Sequence, residues 1–381
     1  MHRHSLRKAA GPMGAGVLCL CFLFAAGMPA QGPATGGIGE LRRPAFTAFE
    51  APGAATGDGQ GTEPASLNAE GTIAGFYGDA NNVLHSFVRA IDGTITTFDA
   101  PGAGTSSGQG TDACCINGAG MVAGSYVDAS GINHGFVRAA DATITTFDAP
   151  GAGTGDNLGT VAESINSSGT IAGTYNDESG VFHAFVRTAD GTVTTFDAPG
   201  AGTGDNQGTV ADSINSSGTV AGLYYDGNTS SHGLLRAADG TITTFDAPGA
   251  GTGKYQGTYV LSINAAGRPA GYYADADNSY HGFVRAADGT ITTFDAPGAG
   301  GTFAFSINKE GAITGVYADA NGLDHGFIRD PSGLAITTFE APGAGSASGQ
   351  GTTGYSINNL GAIAGYYYDT SNGVHGFLLT P

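Results

Sequence analysis

The chain has 381 residues, of which 67 are Gly and none Trp; charged side chains make up 12% and the net charge is −19. A surface this acidic argues against nucleic acid and anionic membrane surfaces as partners, and the Gly content argues against a helical fold. No apolar run reaches the roughly 20 residues needed to span a bilayer as a helix.

The N-terminus reads as a secretory signal. Arg3, Arg7 and Lys8 precede an apolar run over 17–27, and small Ala30 supplies a cleavage position. The expected organisation is a signal over 1–30, a short flexible segment over 31–43 and one domain over 44–381. Without the signal, 11 basic residues face 33 acidic ones, a net charge of −22. Export to the periplasm, the cell surface or the medium follows, as a soluble and monomeric protein.

The domain is a repeat. The phrase Phe-Asp/Glu-Ala-Pro-Gly starts at Phe49, Phe98, Phe147, Phe196, Phe245, Phe294 and Phe339, spaced by 49 residues and finally by 45. A unit of this length buries its apolar surface only by stacking on its neighbours. Each copy holds four strand-like segments separated by turn residues. In the third copy these are a (160–166), b (170–175), c (183–187) and d (192–196). In b, Ile171, Gly173 and Tyr175 share one face; in c, His183, Phe185 and Arg187 do. Apolar or small residues on both faces fit a sheet packed between two others.

The ends of the domain differ from the middle. The chain enters it with a lone d segment, residues 45–49, and leaves it with a, b and c but no following d. The expected fold is all-β: a seven-bladed β-propeller with four antiparallel strands per blade, the N-terminal strand completing the last blade against residues 375–379.

Ser-Ile-Asn, Gly-x-Ile-Ala-Gly-x-Tyr and His-Gly-Phe-Val-Arg recur in this order, with His183-Ala184-Phe185 in the third copy. In these units, across nearly all of 45–381, the chain resembles the HAF family of bacterial extracellular repeats. The resemblance implies bacterial export and a propeller-like array, and it implies no particular activity.

Seven Tyr-x-Asp-x5-His constellations pair Asp79 with His85, Asp128 with His134, Asp177 with His183 and Asp226 with His232. They continue with Asp275 and His281, Asp319 and His325, and Asp369 and His375. A carboxylate that fixes an imidazole serves catalysis or metal binding. A ring needs only one such site, so seven copies read as structural pairs that hold the b–c hairpins. The Asp/Asn/Gly-rich b–c loops carry oxygen ligands of the calcium type and also ordinary turn residues. No cofactor or metal site is therefore assigned, and calcium remains the alternative. Gly151 to Gly155 resembles a phosphate cradle, but a strand follows it where that mechanism needs a helix. No esterase elbow or zinc-protease motif occurs.

Function is sought where the copies disagree, on the loop-rich rim. The d–a loops carry Asp156 and Asn157, then Asp205 and Asn206, then Lys254 and Tyr255, and the following loop is shortened at Gly300-Gly301-Thr302. Cys114 and Cys115 replace Glu-Ser in segment a, where they are expected as buried thiols lining the channel. Pro269 replaces an Ile in segment b, where a bulge is expected. The sequence reads as a non-catalytic binding module for an extracellular protein or glycan. The alternatives are a glycan-active enzyme and a calcium-stabilised adhesive protein.

Overall fold

The computed structural model describes residues 44–381; the signal and the 31–43 segment lie outside the described residues. Within them the chain forms strands and no helix. A lone strand β1 (Ala45–Phe49) opens the fold. The first antiparallel meander is β2 (Thr62–Leu67), β3 (Ile73–Gly78), β4 (Leu84–Arg89) and β5 (Ile95–Phe98). The second is β6 (Gly110–Ile116), β7 (Val122–Val127), β8 (Asn133–Arg138) and β9 (Ile144–Phe147). The third is β10 (Gly159–Ile165), β11 (Ile171–Asn176), β12 (Phe182–Arg187) and β13 (Val193–Phe196). The fourth is β14 (Gly208–Ile214), β15 (Val220–Tyr225), β16 (Ser231–Arg236) and β17 (Ile242–Phe245). The fifth is β18 (Gly257–Ile263), β19 (Pro269–Ala274), β20 (Tyr280–Arg285) and β21 (Ile291–Phe294). The sixth is β22 (Ala299–Ile307), β23 (Ile313–Asp319), β24 (Asp324–Arg329) and β25 (Ile336–Phe339). The last set is β26 (Gly351–Ile357), β27 (Ile363–Tyr368) and β28 (Val374–Thr380), and β1 pairs antiparallel with β28, Ala45 opposite Thr380 and Phe49 opposite Gly376.

The sheets do not close into one hydrogen-bonded whole. Backbone pairing gives one sheet of eight strands and one of twenty. Single-residue parallel bridges link strand c of one meander to strand a of the next, as Leu84 to Gly110 and Ser231 to Gly257. An isolated bridge, Gly61 to Val374, joins the first meander to the last. No bridge joins β20 to β22.

Strand a carries a register shift in every meander, for instance between Ala162 and Ser164. No bulge forms at Pro269. Lacking an N–H, Pro269 starts its strand opposite Ile263, and β19 pairs with β20 only from Ala270 onward. Cys114 and Cys115 form no disulfide, are 5% and 8% exposed, and both Sγ atoms lie against the Ala123 carbonyl. They are part of the core between meanders.

Packing between meanders explains the repeated letters. The Phe of six of the seven phrases meets a Phe of the next strand c edge-on, as Phe49 on Phe87 and Phe147 on Phe185, at 5.9–6.2 Å and 74–77°; opposite Phe196 the position is Leu234. This geometry suits aromatic quadrupoles. The Arg closing strand c stacks its guanidinium over the preceding Phe, as Arg89 over Phe49 at 4.9 Å. Leu379 holds the Arg position in the last meander, and Phe46 packs against Phe339 at 6.1 Å in its stead. Gly of His-Gly-Phe is small because the Phe of strand d covers it; a Cβ on Gly135 would lie 2.5 Å from Phe147.

Asn of Ser-Ile-Asn ties the a–b turns together. Asn68 Nδ2 donates to the Asn117 carbonyl, Asn117 to Asn166, Asn166 to Asn215 and Asn215 to Asn264. Asn264 donates to Asn308, Asn308 to Asn358, and Asn358 back to Asn68, so that the bonds return to their start. Each Oδ1 also accepts amides of its own turn, as Asn166 does from Ser168 and Thr170. Loss of a buried donor leaves its acceptor unpaired. Asn166→Ala should therefore cost about 1–3 kcal/mol, read by urea unfolding, whereas replacement of exposed Ser167 should be neutral.

Candidate functional site

The d–a and b–c loops meet at one rim. In most junctions the tip of a d–a loop donates its N–H to the preceding b–c loop, as Gly59 to Asn372, Gly108 to Asn82, Asn157 to Gly131 and Asn206 to Gly180. The Gln that follows the tip reaches the next b–c loop, as Gln256 Nε2 to the Ala276 carbonyl.

The seven His residues sit beneath this rim, and each lies between two carboxylates. The Asp two positions after Tyr approaches Nε2 at 3.1–3.9 Å. Its Oδ1 is occupied by loop amides, as Asp79 by Asn81 and Val83. The closer partner was not recognised from the sequence: it is the acid of the repeated phrase. Asp99, Asp148, Asp197, Asp246 and Asp295 bond Nδ1 of His85, His134, His183, His232 and His281 at 2.8–3.0 Å. Glu340 holds His325, and Glu50 of the N-terminal segment holds His375 at 2.6 Å. The ring faces are occupied as well, each imidazole stacking on its Tyr at 4.8–5.2 Å. Nδ1 and one ring face are thus engaged in all seven, and Nε2 is also hydrogen-bonded in His281 and His375. Only the sequence distance of 14 residues between His85 and Asp99 could have signalled this pair, because strand d returns past strand c.

The six rim residues singled out from the sequence occupy equivalent positions in successive d–a loops. Asp156 covers Gly131 and Asp205 covers Gly180, each filling the space of a missing Cβ. Asn157 and Asn206 adopt φ of 63° and 59°, where Asn is tolerated. These four close loop against loop. Tyr255 takes the same position with φ 61°, a conformation costly for a bulky side chain. It is 51% exposed, Lys254 Nζ lies 5.0 Å above its ring, and its carbonyl accepts the Tyr259 hydroxyl at 2.7 Å. Among the described residues, Lys254 is the one Lys or Arg in the d–a and b–c loops. No hydrogen bond, ion pair or ring contact joins the three couples to one another among the described residues.

Behind Tyr255 runs an aromatic strip that sequence reasoning missed. Tyr225 lies 6.4 Å from both Tyr255 and Tyr259, and Tyr259 stacks on Tyr272 at 4.8 Å. Tyr272 meets Phe303 at 5.0 Å, and Tyr280 meets Phe303 at 4.9 Å. Burial pushes the Tyr259 phenol up to about 12, and it raises Tyr225 and Tyr272 well above the ordinary value too, so the hydroxyls stay protonated. The available signal was positional: Tyr259 and Tyr272 stand where the preceding copy has Val210 and Leu223.

No family model matches the chain, and no curated protein does. Among solved structures, that of streptogramin B lyase is similar with a TM-score of 0.55 at 14% identity, over 88% of this chain and 98% of the other. The β-propeller domain of the Trilobed protease from Pyrococcus furiosus has a TM-score of 0.53 at 11% identity, over 85% and 95%. The BP39L lectin from Burkholderia pseudomallei has a TM-score of 0.53 at 10% identity, over 86% and 96%. The fold is a β-propeller. Its meanders are blades, and identities this low carry the fold alone.

Two of the propeller's His–carboxylate pairs, at His232 and His375, give stability a pH dependence. His232 is held above the ordinary 6.5 chiefly by its bond to Asp246, against partial burial. Burial lowers His375, but Glu50 and Asp369 outweigh it and the net shift is upward. Burial raises Asp226 and Asp369, but loop amides and the imidazoles outweigh it and hold both below the ordinary 3.8. The His contribution is complete below 6.5 and is lost as pH rises through the raised folded values. The Asp contribution is present above 3.8 and is lost as pH falls through the lowered ones. Thermal melting should therefore peak between about pH 4 and 6.5 and fall at pH 8 and at pH 3. His232→Gln should flatten the alkaline arm.

Proposed function

We propose that this chain is an exported, non-catalytic, seven-bladed propeller of the HAF repeat type. In this reading it acts as a monomeric binding module and holds an extracellular glycan or protein on the rim of d–a and b–c loops. The N-terminal signal pattern supports export. The strand pairing of β1 with β28 and the returning chain of Asn bonds support a closed ring of seven. A lectin among the proteins of like fold is in keeping with a binding role.

One observation carries the choice of rim. Tyr255 is exposed in a left-handed conformation that sister loops give to Gly59, Gly108, Asn157, Asn206 and Gly349. A structural role would be served at lower cost by Gly or Asn. Strain retained under an exposed aromatic ring, beside the lone Lys of these loops, is the signature of a contact residue. The equivalent Asp156/Asn157 and Asp205/Asn206 couples shape the neighbouring rim and extend the surface.

The test is a trade between stability and binding. Tyr255→Asn should hold or raise the melting temperature while weakening capture of extracellular polymers and secreted proteins about tenfold or more, in keeping with loss of an interface anchor. Lys254→Glu should weaken it similarly. Lys309→Glu, on an a–b turn, should leave capture intact. A Tyr255→Asn protein that melts lower and binds normally would refute the rim assignment.

A further inference from the structure

The shortened loop leaves the junction of the fifth and sixth blades without a loop tip, and we call the uncovered place the notch. In other copies the Ala N–H of the phrase bonds a Thr Oγ1 11 residues on, as Ala198 to Thr209; here Ala296 bonds Thr302, 6 residues on. The missing residues correspond to Thr203-Gly204-Asp205-Asn206-Gln207 of the fourth copy, which form the tip and its tethering Gln. Two consequences follow in the structure. No parallel bridge joins β20 to β22, and no loop tip reaches the Asn278 carbonyl, the counterpart of Thr229 and Gly322.

The aromatic strip ends in this notch. Tyr280 and Phe303 are both partly exposed, 4.9 Å apart, with Tyr272 buried beneath them. At the equivalent of Phe303 the third and fourth copies have Val161 and Val210, and at that of Tyr280 they have Phe182 and Ser231. The deletion that removes the cover and the substitutions that add rings therefore coincide at one blade junction.

We infer that this notch binds a neutral saccharide residue, its apolar C–H face against Phe303 and Tyr280 and its hydroxyls against the Asn278 carbonyl and the Tyr280 hydroxyl. The inference rests on the rim reading above and adds a location and a ligand class. Ring faces of this kind take the C–H face of a sugar, and fixed polar groups around them set its orientation. Charge decides against polyanionic glycans, because a protein of net charge −19 with one Lys in these loops repels them. The same charge leaves neutral sugars unaffected.

The test uses the full chain on an array of neutral oligosaccharides, uronate-bearing oligosaccharides and peptides, followed by calorimetry of the hits. Two variants report on the notch. Insertion of Thr-Gly-Asp-Asn-Gln between Gly300 and Gly301 restores the cover and the tether, and Phe303→Val installs the residue of the third and fourth copies. Neutral oligosaccharides should bind the native chain, and both variants should lose about tenfold or more of that affinity. The insertion variant should melt no lower than the native chain, which separates closure of the notch from unfolding. Absence of neutral-saccharide binding overturns the inference, and so does neutral-saccharide binding that neither variant weakens. If peptides or uronates bind instead and Tyr255→Asn weakens them, the saccharide notch is wrong while the rim reading stands. If bound saccharide responds to neither the notch variants nor Tyr255→Asn, both readings fall.

Discussion

The structure depends on one contact made again at every junction: a Thr hydroxyl at the start of strand a accepts the buried Ala N–H of the preceding phrase. All seven bonds are 2.9–3.0 Å long and lie in the core between blades. Around this bond the phrase spends every letter. Phe packs on the next blade, the acid holds its own blade's His, and Pro-Gly turns the chain at positive φ, as Gly151 does at 91°. A buried amide without this acceptor would cost its full desolvation. No blade is therefore complete without the next, which is why the repeat must be stacked.

This interlock also explains where variation is tolerated. Residues that face a neighbouring blade are fixed by packing on both sides, so Phe, Arg, Gly and Asn recur. A change there is answered nearby, as Leu379 is by Phe46. Where Ala48 stands in place of a strand-d Thr such as Thr97, an apolar cavity of about 90 Å³ remains beside Tyr367. The loop tips beyond the phrase carry no such burden. They are free to differ, and the differences gather on the fourth, fifth and sixth blades, where the proposed rim site lies. A rigid ring presenting a few variable loops is a general arrangement for recognition.

Much of the fold was legible because the period is strict and strand chemistry is local. The four segments, the orphan strand at 45–49 and its pairing near 375–379 all follow from alternation and counting. What could not be read were bonds spanning a whole repeat. The Asn68 to Asn117 link and the Ser66 hydroxyl under the Ile116 amide join residues about one period apart, and no local pattern announces them. The second carboxylate of each His was hidden for a related reason, since strand d brings it back from 14 or 15 residues away in six copies and from the N-terminal segment in the last. Pro269 starts a strand where a bulge was expected, because its missing N–H falls at the first rung. Of the candidate site, Lys254 and Tyr255 stood out as departures from the repeat. Tyr259, Tyr272, Tyr280 and Phe303 did not stand out, because only the strand register sets them side by side.

Deletion of residues 44–53 tests the interlock most directly. It removes β1, the Glu50 bond to His375, the Phe49 ring on Phe87 and the Ala51 amide on Thr62, and leaves the other copies untouched. The measurement is thermal and urea unfolding of the truncated chain beside the intact one. A lower, broadened transition is expected, with the first and last blades losing amide protection before the middle ones. A single transition at an unchanged midpoint would show that the blades stand without their neighbours, and would contradict the interlock.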